Sequence, residues 1–225
     1  RDARRPFCVL FTDIQSSTHL WATVPEAMAE ALDRHHALIR QLIAKHKCYE
    51  VKTIGDSFMC AAHTPEQALA FSVDLQRQFY ACEWGTAIDD VYREKELEDS
   101  DDARPYWPDP LPLEAYRRQW NGLRVRVGVH YGAGDIKLDP VSRGYDYYGT
   151  VVNTAARVES VCHGGQIGAT KAVYDALRGR APDVEWTDLG PQPLRGLAEP
   201  VHIVQALPCG ALAARAFPPL RLDRD

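Results

Sequence analysis

Tyr49-Glu-Val-Lys-Thr-Ile-Gly-Asp-Ser-Phe-Met59, YEVKTIGDSFM, reads as two short strands folded back on a two-residue turn. Glycine at the first central position of Gly55-Asp56 is what a type II′ hairpin prefers, because that position needs a positive φ. The hairpin carries a cation on its first arm, Lys52, and a carboxylate at its tip, Asp56, and the two have no evident reason to face each other.

Outward from the hairpin, the flanking segments supply the rest of a sheet. Phe7 to Thr12 (FCVLFT) is a continuous apolar run of strand length. Ser16-Ser17-Thr18 then offer helix-start chemistry. From Pro25 to about His46 apolar residues recur at helical spacing, with His35 on the apolar stripe as a satisfied core histidine. The hairpin spans about 48–62. Thr64-Pro65 open a second helix, with threonine as cap and proline at the first position. LRVRVGVHY (123–131) alternates as a strand; the polar run from Gly132 to Gly144 reads as turns, and a helix runs from about 149 to 162. Further strands are expected near 166–169, 184–189 and 202–207, with a short helix at 172–177. The order predicts an α+β fold: a ferredoxin-like βααββαβ mixed sheet with helices on one face, additional C-terminal α/β elements and an inserted subdomain.

The insertion is 84–121. Its DDVYREKELEDSDDARPYWPDPLP stretch is acidic, then proline-rich, without a sustained period, and reads as a solvated excursion or a regulatory site. Residues 1–6, RDARRP, read as a juxtamembrane segment or a solvated tail, 7–208 as the main domain, and 209–225 as a C-terminal tail. Composition is that of a soluble globular chain: 225 residues, 45% hydrophobic, 25% charged. A net charge of −5 argues against nucleic acid, whose phosphates want clustered cations. No apolar run reaches the roughly 20 residues of a membrane helix, and no signal peptide is evident. The six cysteines lack zinc-like spacing and read as reduced, mostly buried thiols.

Chemistry concentrates at strand ends. Asp13 follows the first strand and Asp56 sits at the hairpin tip, on strands expected to be neighbours. Two adjoining carboxylates repel unless a cation lies between them, and oxygen-only ligation suits Mg²⁺ or Mn²⁺. The alternative is two independent turn aspartates. Beyond Asp13, the 14–18 turn enters a helix N-terminus, which favours anions. Asn153 and Arg157, four apart, share an outward helix face. They read as a solvated face or as a pair aimed at developing phosphoryl charge. No Walker motif or GxGxxG is present.

Together FTDIQSST (11–18), KTIGDSF (52–58), RVGVHYG (126–132) and YDYYGTVVNTAARVES (145–160) resemble the class III adenylate/guanylate cyclase catalytic domain. The FTDI…SST and YYGTVVN forms and the acidic insertion look most like trypanosomatid receptor-type adenylate cyclases. The resemblance implies that Asp13 and Asp56, with the carbonyl of Ile14, bind Mg²⁺ or Mn²⁺, two ions per site. It implies that Ile14, Gln15, Ser16, Ser17 and Thr18 hold phosphates, that Lys52 and Asp146 read adenine, that Asn153 orients ribose and that Arg157 stabilises the transition state. Guanylate cyclases typically carry glutamate and cysteine in place of Lys52 and Asp146. The implied reaction turns ATP into 3′,5′-cyclic AMP and pyrophosphate at sites shared by a homodimer, at the cytoplasmic face of a membrane through segments outside this chain. Lys52 and Asp56 would then serve different active sites. Leu197 and Ala133 stand where many family members carry phosphate-binding cations, although Arg195 is nearby. That departure implies a weak or strongly activation-dependent enzyme. The competing readings are a guanylate cyclase, a nucleotide-binding regulatory domain without turnover, and a ferredoxin-like RNA-binding module, which the charge opposes.

Overall fold

The computed structural model describes residues 5–101, 106–178, 180–181 and 183–222. Strand β1 (Phe7–Ile14) is flanked by β3 (Ser57–Ala62) and β4 (Val125–Gly132), both antiparallel to it. With β2 (Tyr49–Ile54) outside β3, these four strands are the hairpin-and-partners unit expected from the sequence. Beyond β4 the sheet continues through β7 (Ile167–Thr170), β9 (Val201–Pro208) and β8 (Val184–Gln192), giving the order β2-β3-β1-β4-β7-β9-β8. The β4–β7 pair is parallel and its neighbours antiparallel, so the sheet is mixed.

The period of β1 explains the layering. Cys8, Leu10 and Ile14 point to one face, where α2 (Pro25–Lys45), α3 (Pro65–Ala81) and α7 (Lys171–Leu177) build the main core. Phe7 and Val9 point to the other, against Val151 and Ala155 of α6 (Thr150–Val161). A strand buried on both faces must read as an unbroken apolar run, which FCVLFT does. The expectation of helices on one face is therefore corrected: α6 covers the opposite side. It sits very close, because Gly128 of β4 leaves no side chain beneath it; a Cβ there would lie 2.2 Å from the Glu159 nitrogen. Thr64 caps α3 in a full capping box with Gln67, with Pro65 in the first turn.

Three sequence expectations change. The insertion is not a solvated excursion. It forms α4 (Ala87–Asp101) and α5 (Leu113–Arg117), and it buries Ile88, Val91, Tyr92, Tyr116 and Trp120. Its spacing Ile88, Val91, Tyr92 is a helical stripe that the acidic composition hid. The polar run after β4 is not all turn, since β5 (Asp135–Leu138) pairs with β6 (Tyr145–Tyr148) as a separate hairpin. The C-terminal segment is not a loose tail either. Arg215 is buried, with its guanidinium bonded to the Gln119 and Gly165 carbonyls and to Gln76, while Leu220 and Leu222 pack beside Val158 and Val161.

Cys8, Cys60 and Cys162 are buried thiols, and burial pushes all three up. His35 is fully buried, as expected of a core histidine, but it is not satisfied: neither ring nitrogen has a hydrogen-bond partner. It packs edge-on against Phe58 and Phe79.

Two predictions follow from this packing. Gly128→Ala should cost about 1–3 kcal/mol or more, because backbone rather than a flexible side chain must give way; urea denaturation measures it. For His35, burial, with His36 adding to it, lowers the pKa to about 3. The folded state thus binds fewer protons than the unfolded chain, and the contribution of the neutral ring is complete above about pH 6.5. It is lost as pH falls from there towards 3, by up to about 1.4 kcal/mol per pH unit. The drop in unfolding free energy between pH 7 and 5 should therefore be smaller in His35→Leu than in wild type.

Candidate active site

Antiparallel pairing sets Asp13 at the end of β1, opposite Arg126 of β4 and next to the start of β3. Asp13 lies within the strand rather than after it. Its Oδ1 accepts from Ser57 Oγ at 2.6 Å and its Oδ2 from an Arg126 terminal nitrogen. Arg126 Nε lies 2.5 Å from Glu159 Oε1 of α6, near enough to pair but without hydrogen-bond alignment, so both atoms are buried without a hydrogen bond. Burial pushes the Glu159 carboxyl up to about 7, against the opposing pull of Arg126. On Arg126 itself burial works against the charge, but Glu159 and Asp13 outweigh it and the net shift is upward.

Asp56 occupies the hairpin tip one residue before Ser57. Gly55 has φ +61°, and Asp56 is not among the residues of positive φ, as a II′ turn requires. One Asp56 oxygen, Oδ2, is buried and has no hydrogen-bond partner. A carboxylate oxygen kept from water without a donor is costly, and a cation would relieve it. The hard oxygen donors of Asp13 and Asp56 thus fit Mg²⁺ or Mn²⁺. Among the described residues no group of three or more His, Cys, Asp or Glu could hold a metal by itself, so a pair of aspartates would need other oxygens to complete the shell.

The turn after β1 is tightly held. Gln15 donates its N–H to the Arg124 carbonyl, accepts the Tyr92 hydroxyl on its own carbonyl at 2.7 Å, and accepts the Gly164 N–H on Oε1. These three bonds make Gln15 a brace of the turn, and it also lines the cleft beside it. Ser16 has φ 57° and ψ 32°, a left-handed conformation uncommon for a residue with a side chain. It precedes α1 (Ser17–Thr23) without a side-chain cap, and its Oγ lies 3.4 Å from Lys95 Nζ of α4. The insertion therefore forms a wall beside the turn. A cleft of about 1240 Å³ runs between them, bordered also by the C-terminal residues Phe217 and Arg221.

On the opposite side of the sheet edge, Lys52 Nζ lies 3.3 Å from both Asp146 oxygens. Asp146 sits on β6, not in a loop. Burial works against its charge, but the Tyr147 N–H, the Tyr148 hydroxyl and Lys52 together outweigh it and hold the carboxyl below the usual range. Tyr49 anchors this corner by accepting the Tyr145 N–H at 2.8 Å. Lys52 thus pairs with Asp146 of another hairpin and not with Asp56 of its own. Asn153 and Arg157 both lie exposed on the outward face of α6. Leu197 packs against the Val158–Leu194 cluster, and Ala133 is exposed.

The family of the adenylate and guanylate cyclase catalytic domain matches residues 2–206. The chain belongs to that family. It is 46% identical over 97% of its length to the receptor-type adenylate cyclase GRESAG 4.2 of Trypanosoma brucei brucei, and 47% identical over 98% to a receptor-type adenylate cyclase of Trypanosoma equiperdum. It spans 39% and 47% of those proteins, less than half of each. A solved structure of adenylate cyclases from Trypanosoma brucei in their monomeric state superposes with a TM-score of 0.91 at 46% identity, covering 98% of this chain and 96% of that one. The α+β fold with its mixed sheet is thus that of the cyclase domain, a family that binds nucleotide, uses divalent metal and often dimerises. No helix among the described residues is long and apolar enough to cross a membrane.

The bracing of the turn can be tested alone. Tyr92→Phe removes only the hydroxyl on the Gln15 carbonyl and should cost about 0.5–1.5 kcal/mol. Amide exchange at residues 16–18 should speed up in the same variant, which mass-spectrometric hydrogen exchange would detect.

Proposed function

We propose that this chain is an adenylate cyclase catalytic domain that converts ATP to 3′,5′-cyclic AMP and pyrophosphate when two copies meet. The observation that carries the choice of ATP is the Lys52–Asp146 pair: one donor and one acceptor set 3.3 Å apart on neighbouring elements. Adenine offers the complement, an acceptor at ring N1 and a donor at the 6-amino group, whereas guanine carries a donor at N1 and an acceptor at O6. The pair therefore favours adenine by leaving guanine's groups unmatched.

Asp13 and Asp56 would hold Mg²⁺ or Mn²⁺, two ions per site, with the Ile14 carbonyl as a further oxygen. When bound, such ions supply Lewis acidity towards the 3′-hydroxyl and the phosphates. Ser57 fixes the Asp13 carboxylate by its 2.6 Å bond. Ser16, Ser17 and Thr18 line the cleft where the phosphates would rest. Asn153 orients the ribose so that its 3′-oxygen faces the α-phosphate, and Arg157 offsets the negative charge that develops there. The exposure of Asn153 and Arg157 supports a head-to-tail homodimer in which one copy supplies aspartates and the other supplies α6. The receptor-type relatives support a place at the cytoplasmic face of a membrane, through segments outside this chain.

Purified protein with Mn²⁺ or Mg²⁺ should form cyclic AMP from ATP and little cyclic GMP from GTP; preferential use of GTP would refute the assignment of Lys52 and Asp146. Asp13→Ala and Asn153→Ala should each lose at least ~100-fold in activity, as losses of transition-state contacts do. Mixed, they should regain part of it through one intact hybrid site. A mixture that stays inactive beside an active wild type would rule out the shared site.

A further inference from the structure

Each Asp13 oxygen already accepts a hydrogen bond. Ser57 occupies Oδ1, and the Arg126 guanidinium occupies Oδ2. Asp56, the other candidate ligand, has a buried oxygen with no partner. The two carboxylates thus differ: one is already neutralised by a side chain and one waits for a donor. The arginine is also near a second acid. Its Nε is 2.5 Å from Glu159 Oε1, yet that pair lacks hydrogen-bond alignment. Arg126 and Glu159 are largely buried, at 15% and 13% side-chain exposure, so neither can turn to water instead.

We propose that Arg126 is an internal counter-ion that holds the Asp13 carboxylate while no metal is bound, and that Glu159 receives the guanidinium when metal takes its place. This rests on the proposal that Asp13 and Asp56 hold the metal. A buried carboxylate without a cation is costly, so the metal-free chain needs Arg126 on Asp13. A divalent ion on Asp13 removes that need and repels the arginine. Glu159 on α6 already meets the same guanidinium at its Nε, and that contact would keep the arginine once Asp13 lets it go. Arginine suits the exchange because its planar fork reaches two carboxylates at once, which a single ammonium cannot. Arg126 and Glu159 act through Asp13 and are positioning residues.

The two substitutions have opposite consequences, which a purely structural ion pair would not. Arg126→Met frees Asp13 and should lower the Mn²⁺ concentration needed for half-occupancy by roughly tenfold, the scale on which outer partners tune metal affinity. Glu159→Gln removes the receiving acid, leaves the arginine on Asp13 and should raise it by a similar factor. Arg126→Lys separates exchange from a plain field effect: it keeps the charge on Asp13 but cannot reach Glu159 as well, so it should raise the requirement as Glu159→Gln does, whereas a field effect would leave it at the wild-type value. Should a single variant fail to fold, Arg126→Met/Glu159→Gln removes the whole pair and should behave like Arg126→Met. Mn²⁺ binding is read by electron paramagnetic resonance of the free ion, alongside the Mn²⁺ dependence of cyclic AMP formation. Opposite shifts for Met and Gln with an upward shift for Lys support the exchange. Shifts in one direction, no shifts, or a wild-type value for Lys overturn it. An active wild type with unshifted variants defeats the exchange alone, and an inactive wild type with the expected binding shifts defeats the cyclase assignment alone.

Discussion

The antiparallel register of β1 against β3 and β4 is the constraint on which the site depends. Pairing Thr12 with Phe58 and Asp13 with Arg126 decides that one carboxylate meets Ser57 on one side and a guanidinium on the other. A slip of one residue would turn Asp13 into the core face and Thr12 out of it. Such a slip would also exchange Cys8 and Leu10 with Phe7 and Val9 between two faces whose helices are packed to fit them. The packing of Cys8, Leu10 and Val9 is therefore what aims Asp13.

The same economy governs α6. Gly128 lets it approach β4 closely, Val151 and Ala155 hold it on the sheet, and its outward face is left to Asn153 and Arg157. One helix thus separates a buried face from an exposed one, with a glycine as its seat. On the far edge, β2 carries Lys52 outward to β6, while the turn of the same hairpin carries Asp56 inward. Strand alternation and a II′ turn are enough to send the two charges apart.

Local features were legible in the sequence. The hairpin, the apolar run of β1, the Thr64-Pro65 helix start and the outward pairing of Asn153 with Arg157 each rest on a few neighbouring residues. What escaped was either masked or non-local. The stripe Ile88, Val91, Tyr92 sits among so many acids that composition overrode periodicity. The Asp135–Leu138 strand is short and follows glycines, so it resembled turn. Gln15 bracing the turn through Tyr92 and Gly164, and Arg126 between Asp13 and Glu159, join residues far apart in the chain. No spacing rule connects them; only the register does. His35 shows a different limit: its burial was readable, but the absence of any partner for its ring was not.

The acidity of the insertion takes on another meaning beside Trp120. The indole lies between two guanidiniums, with Arg124 at 4.2 Å and Arg215 at 4.4 Å from its ring centre. Both arginines are buried, and Arg215 is depressed to about 9 by burial and by the repulsion of Arg124. Glu96 of α4 pairs with Arg124 at 2.5 Å, and Asp89 accepts the hydroxyl of Tyr116, which itself accepts from Arg124. In electrostatic terms, part of the negative run faces inward and balances a cationic interior rather than advertising itself to solvent. The insertion, the sheet and the C-terminal segment therefore share one charge balance, and none of the three can be neutralised or removed without unsettling the other two.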